Sequence, residues 1–253
     1  MAINELRDFA MANGAESTVI APENQSYTKE HTAFSKDGKD IAPRSVEQRI
    51  IQRWGIWSSF DYFGNGKNLY QGSAGIDYRI APHWLIGASG RVGYLSGHAG
   101  VSLYQGGLYT AFYSNGLWGV AGGLAGPSQY TVYAGLGYDF RFGNFVAGPV
   151  VNGQWDDVTS SQYGFGRGNV EQVRVGGRIG YVAGRLQPWA QVMYQRQESS
   201  NNNNDPLREN ALWAGAGVNF ILSERWMLWA GYAFEGNENY QLNQGTLGVR
   251  CQF

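Results

Sequence analysis

Residues 242 to 253 read LNQGTLGVRCQF, and these positions alternate. Leu247, Val249, Cys251 and Phe253 fall on one side of an extended chain. Thr246, Gly248, Arg250 and Gln252 fall on the other. A soluble sheet rarely carries an apolar row to a free aromatic terminus. A barrel whose outer face meets lipid and whose inner face is wet does so routinely.

The same period of two recurs upstream. Tyr70, Gly72, Ala74, Ile76, Tyr78 and Ile80 share one side, opposed by Gln71, Ser73, Asp77 and Arg79. Val132, Ala134, Leu136, Tyr138, Phe140 and Phe142 are opposed by Asp139 and Arg141. Val173, Val175, Ile179 and Tyr181 are opposed by Gln172, Arg174 and Arg178. A slip of one residue would exchange the two faces, so each register is strongly specified. About twelve strands follow, at 54–64, 68–80, 84–95, 101–113, 117–125, 130–142, 144–156, 170–183, 186–196, 208–222, 226–236 and 242–253. Their connections alternate in length. Ala81–His83, Ser114–Gly116, Gly143, Gly184–Arg185 and Ser223–Arg225 are tight, whereas Thr159–Gly168 and Glu198–Pro206 are long and polar. Short turns on one side and longer loops on the other are the habit of outer-membrane barrels.

Alternation alone also fits a soluble sandwich or a lipocalin-like barrel, in which the apolar face points inward. Two features favour lipid. Trp84, Tyr94, Trp118, Phe142 and Trp226 cluster at strand ends, as an interfacial belt requires. The opposing face is rich in glycine and in charges of both signs, unlike an ordinary soluble surface. Composition agrees. Mean hydropathy is only −0.35, because a barrel hides its apolar residues in a period of two. The longest run of apolar residues and glycine, Gly116–Gly126, falls short of the roughly 18 residues that a membrane helix needs. The 37 Gly, 16 Tyr, 12 Phe and 9 Trp, against 15% charged residues, suit curved strands with aromatic girdles.

A net charge of −1 supplies no basic footprint, so nucleic acid is not an expected partner. The single Cys251 excludes an internal disulfide, and with three His no cysteine-based zinc site is expected. No cofactor is implied. Ala2–Gly14 carries Glu5, Arg7 and Asp8 where a signal peptide needs an apolar core. For an envelope protein, Met1 is then expected to follow a removed leader. Residues 1–43 form a polar stub in which Ile3–Ala12 is a candidate short helix. Ser45 and Gln48 have capping-box spacing. A helix is therefore expected over 44–53, carrying Ser45, Glu47, Arg49 and Arg53, before the barrel of 54–253.

A polar stub, a capped helix and about twelve amphipathic strands ending in Phe resemble the translocator domain of a type V autotransporter. The stretch Tyr138-Asp139-Phe140-Arg141-Phe142-Gly143-Asn144-Phe145, then Gly148-Pro149, is similar to the middle strands of such domains, and Gly248-Val249-Arg250 to their last strand. The resemblance spans residues 44–253. It implies an all-β transmembrane antiparallel barrel in the bacterial outer membrane, with the helix in its lumen. It implies a pore that exports or anchors an N-terminal passenger at the cell surface. Outer-membrane lipid, the barrel assembly machinery and the chain's own passenger are the implied partners of a monomer. Leu247, Val249 and Phe253 would be the assembly signal. The sequence departs from the family at the short connections Gly64–Lys67 and Gly126–Gln129 and at Cys251, where an aromatic residue is more familiar. The expected helix holds no Asn pair for passenger cleavage, so an attached passenger, as on surface esterases, is implied.

The inward charges Asp77, Arg79, Arg91, Asp139, Arg141, Arg174, Arg178 and Arg250 are the candidate pore lining. They would grip the helix and set ionic selectivity, or simply pair with one another. No catalytic residue is assigned. Ser96, His98 and Ser102 stand near an outer loop, but no motif supplies the aligned base and orienting group that a nucleophilic serine needs. Gly164–Gly168 precedes a strand rather than a helix and lacks the dipole of a phosphate loop. The alternatives to a translocator are a passive channel or an outer-membrane lipase.

Overall fold

A computed structural model describes residues 53–253, except 66, 82, 97–100, 128, 159–167, 183, 202–205, 224 and 239–240. The expected helix over 44–53 and the stub before it therefore lie outside the described residues, apart from Arg53. The strands are β1 (Trp54–Asn65), β2 (Lys67–Ala81), β3 (Trp84–Leu95), β4 (Val101–Ser114), β5 (Leu117–Ala125) and β6 (Gln129–Tyr138). They continue with β7 (Phe140–Phe142), β8 (Phe145–Val158), β9 (Gly168–Tyr181), β10 (Leu186–Asn201), β11 (Pro206–Ile221), β12 (Trp226–Gly236) and β13 (Gln241–Gln252). Each pairs antiparallel with its neighbours, β6 pairs with β8, and β1 pairs with β13, so the sheet closes on itself.

β6 and β7 are two halves of one strand, which makes the barrel twelve-stranded. The register on either side of the break is unchanged, from Gly137↔Val150 to Phe140↔Ala147, so no residue is inserted. The ladder skips Tyr138 and Asp139, which stand opposite Pro149 and Gly148. Pro149 has no N–H to donate. A side chain on Gly148 would collide with the carbonyl of Tyr138.

The long polar connection expected at 198–206 is mostly strand. Glu198↔Arg208 and Ser199↔Leu207 extend the β10–β11 ladder. Arg196 and Glu198 pair on the outside at 2.7 Å, which marks this end as lying in water.

The outward face carries Ile56, Phe60, Ile76, Leu108, Val132, Leu136, Val175, Val192, Leu212 and Leu247, all exposed. Trp84, Tyr94, Phe142 and Trp226 are exposed at the strand ends. Trp118, expected in that belt, is buried inside the barrel. The run Leu117-Trp118-Gly119-Val120 is apolar on both faces, so its parity is unreadable from sequence. The inward face carries a second, internal set of apolar side chains: Trp57, Tyr109, Trp118, Tyr133, Met193, Trp213, Met227 and Trp229. Most of these rings sit opposite glycine. Trp57↔Gly75, Tyr109↔Gly87, Trp118↔Gly137, Tyr133↔Gly122 and Trp229↔Gly248 are all register partners. Each ring lies where the glycine's side chain would have stood. That use accounts for part of the high glycine content: an aromatic ring can cross a ladder only where its partner has no Cβ.

Candidate pore and its polar lining

Trp54 and Phe253 exchange two backbone hydrogen bonds, N–H of Trp54 to the carbonyl at 3.0 Å and N–H of Phe253 at 2.9 Å. Both ends of the barrel therefore lie at the short-turn rim. Arg53 sits on that rim, exposed, with its carbonyl accepting from the N–H of Arg79 at 2.7 Å. Its guanidinium donates to the Tyr78 hydroxyl at 3.1 Å.

Among the described residues, the inward polar groups include four hydrogen-bonded clusters. The first two lie near the short-turn rim. Arg250 of β13 donates twice to Asp77 of β2, at 2.7 and 3.0 Å. The Tyr109 hydroxyl donates to the same carboxylate at 3.0 Å and accepts from the Trp57 indole at 2.8 Å. Arg178 of β9 pairs in the same two-pronged way with Asp139, and its guanidinium stacks 4.9 Å from the Trp118 ring.

The other two clusters lie toward the long-loop end. Arg174 donates to Glu235 and to Gln195, both at 2.6 Å, and Gln195 donates to Glu235 at 2.7 Å. Arg91 donates to Gln105 and, at 3.1 Å, to Thr131, whose hydroxyl donates to Asp156 at 2.5 Å. Arg174 and Glu235 stand three strands apart, as do Arg91 and Thr131. Only an enclosed concave face brings such distant strands within one hydrogen bond. Charge-assisted, two-pronged pairs are the arrangement that makes buried charge tolerable.

Of the candidate lining, Asp77, Arg91, Asp139, Arg174 and Arg250 are buried within these clusters. Arg178 is nearly so, with 8% of its side chain exposed. Arg79 is half-buried near the rim. Arg141 is exposed at the β7–β8 turn, where it donates to the Gly143 carbonyl at 3.3 Å, and belongs to no cluster. Ser45, Glu47 and Arg49 lie outside the described residues. Asp61, Glu235 and Asp156 were not singled out from sequence, although they share the inward parity of their strands and alternation was the signal that could have found them. Among the last strand's residues, Leu247 and Phe253 are exposed outward and Val249 is half-buried on the same side. The Ser96 hydroxyl is engaged with the backbone of Asn68. His98 and the side chain of Ser102 lie outside the described residues.

The barrel is similar in fold to solved autotransporter translocator domains. The β domain of the Bordetella autotransporter BrkA matches with a TM-score of 0.63 and 18% identity, over 79% of this chain and 100% of that one. The translocator domain of the autotransporter NalP from Neisseria meningitidis matches at 0.56 and 15%, over 94% and 98%. The closed antiparallel barrel fold is one that these translocator domains share. An outer-membrane channel from Pseudomonas putida F1 shares it at 0.57 and 12%, over 84% and 100%. No protein-family model matches the sequence, and no curated protein does.

Proposed function

We propose that this chain is an outer-membrane translocator pore. Its barrel sits in the bacterial outer membrane, and an N-terminal passenger is exported through it or held by it at the cell surface. The observation that supports this most is the placement of Trp54 beside Phe253 at the short-turn rim. A segment preceding Trp54 that emerges on the long-loop side has only the lumen to pass through. The division that follows is a passenger stub at 1–43, a pore helix at 44–53 and the barrel at 54–253. Residues 45–53 would span about 13–14 Å as a helix at 1.5 Å each. Extended residues ahead of Ser45 then cover the remaining depth.

In this reading Asp77, Arg79, Arg91, Asp139, Arg174, Arg178 and Arg250 line the pore and meet Glu47 and Arg49, and Arg141 belongs to its mouth. Leu247, Val249 and Phe253 are the signal read by the barrel assembly machinery. The chain works as a monomer in lipid and performs no catalysis. The fold shared with the Pseudomonas putida channel supports a second reading, a passive channel in which residues 1–53 are incidental.

Single-channel recording in planar bilayers separates the two. Removing residues 1–52 should leave a folded barrel with a higher and steadier conductance than the full chain. Equal conductance would show that the segment never occupied the lumen, and the channel reading would replace this one.

A further inference from the structure

Eleven of the twelve ladders join strands that are consecutive along the chain. Only β1–β13 joins the two ends of the barrel. It is therefore the one ladder that can open while every hairpin stays intact, and the one whose formation must close the longest loop. On the inside of this seam, Arg250 of β13 reaches past β1 altogether and grips Asp77 of β2. The crossing point is Gly55 of β1, in register with Asp77 on one side and with Gln252 on the other. A Cβ on Gly55 would lie 2.5 Å from the Arg250 guanidinium and 2.7 Å from the Asp77 carboxylate. The glycine is thus what lets the pair cross. Tyr109, from β4, donates to the same carboxylate, and its hydroxyl accepts in turn from the Trp57 indole of β1.

We infer that Asp77 and Arg250, crossing at Gly55, form a latch that keeps the first and last strands of the barrel joined. The seam's backbone ladder holds β13 to β1 alone. The latch ties β13 to the β1–β2 hairpin as a unit, so that separating the seam also requires breaking a two-pronged, charge-assisted pair with 2% and 3% of its side chains exposed. The barrel carries its own control for this. Six strands further around, Arg178 of β9 reaches across β8, level with Gly148, to a two-pronged pair with Asp139, but there the bridged strands belong to consecutive ladders. The two pairs share chemistry and depth near the rim and differ in standing at a seam.

Hydrogen exchange of the full chain refolded in detergent, read by mass spectrometry over 54–65 and 241–252, tests this. Asp77→Ala should speed exchange of both seam strands by at least about ten-fold, the scale of a lost hydrogen bond to a charged group. The β10–β11 hairpin should not change. Asp139→Ala should leave the seam unchanged. The charge swap Asp77→Arg with Arg250→Asp should recover part of the protection. If Asp77→Ala does not refold, Asp77→Asn is read in its place. Seam exchange unaffected by the loss of Asp77, or raised equally by Asp139→Ala, would overturn the latch. A uniform rise over all strands would do so too, since it would mark general destabilisation.

Discussion

The indole of Trp57 lies across Gly75, its register partner on the neighbouring strand, 2.6 Å from where a Cβ would stand. The same ring donates to Tyr109 across the lumen, so the glycine opposite positions a side chain three strands away. Gly75→Val should displace the ring and cost about 1–3 kcal/mol, the usual scale of overpacking. Gly72, on the same strand, faces outward with open space around it. Gly72→Ala should be neutral or stabilise by a few tenths of a kcal/mol. Urea unfolding in lipid vesicles checks both; equal effects at the two positions would refute the assignment of faces.

Leu136 is exposed on the outward face, between Gly119 and Val151 on the flanking strands. In lipid, Leu136→Arg should cost about 2–4 kcal/mol, and Tyr138→Arg, nearer the rim, only about 0–1 kcal/mol. The unmodified chain should refold from denaturant only when detergent or lipid is supplied, because its outward rows have no aqueous partner. A folded, monodisperse sample in plain buffer would contradict the membrane placement.

Removal of Phe253 should lower outer-membrane insertion in cells while refolding in detergent largely persists. The deletion also takes away the two backbone bonds to Trp54. Phe253→Ala, which keeps them, therefore isolates the side chain and should show the same loss of insertion. Surface levels equal to the parent's for both variants would mean that the terminal aromatic is not read during assembly.

Glu235 accepts from both Arg174 and Gln195 inside the barrel. Glu235→Leu leaves two buried donors with a lost acceptor and should destabilise by about 1–3 kcal/mol. Glu235→Gln keeps an acceptor and should cost less. Shifted urea midpoints with unchanged slopes are the expected result; identical midpoints for Leu and Gln would place this cluster in bulk-like water.

Strand number, the outward face and the short connections of one rim were legible in the sequence. A period of two is a property of the extended backbone itself, so a row such as Leu247, Val249 and Phe253 is separated from Gly248, Arg250 and Gln252 without reference to any other strand. The same parity exposed most of the inward charges. It failed where a strand is apolar on both sides, as at Trp118, whose inward course is set by Gly137 on the next strand. It failed also at the polar end of β10, where pairing with β11 outweighs composition. Ion-pair partners were beyond its reach. That Arg250 meets Asp77, and Arg178 meets Asp139, depends on the curvature of the closed sheet and, for the first pair, on Gly55, whose missing Cβ leaves the path across the intervening strand open. Those contacts link residues far apart in the chain, and only the curvature of the closed barrel brings them within bonding distance.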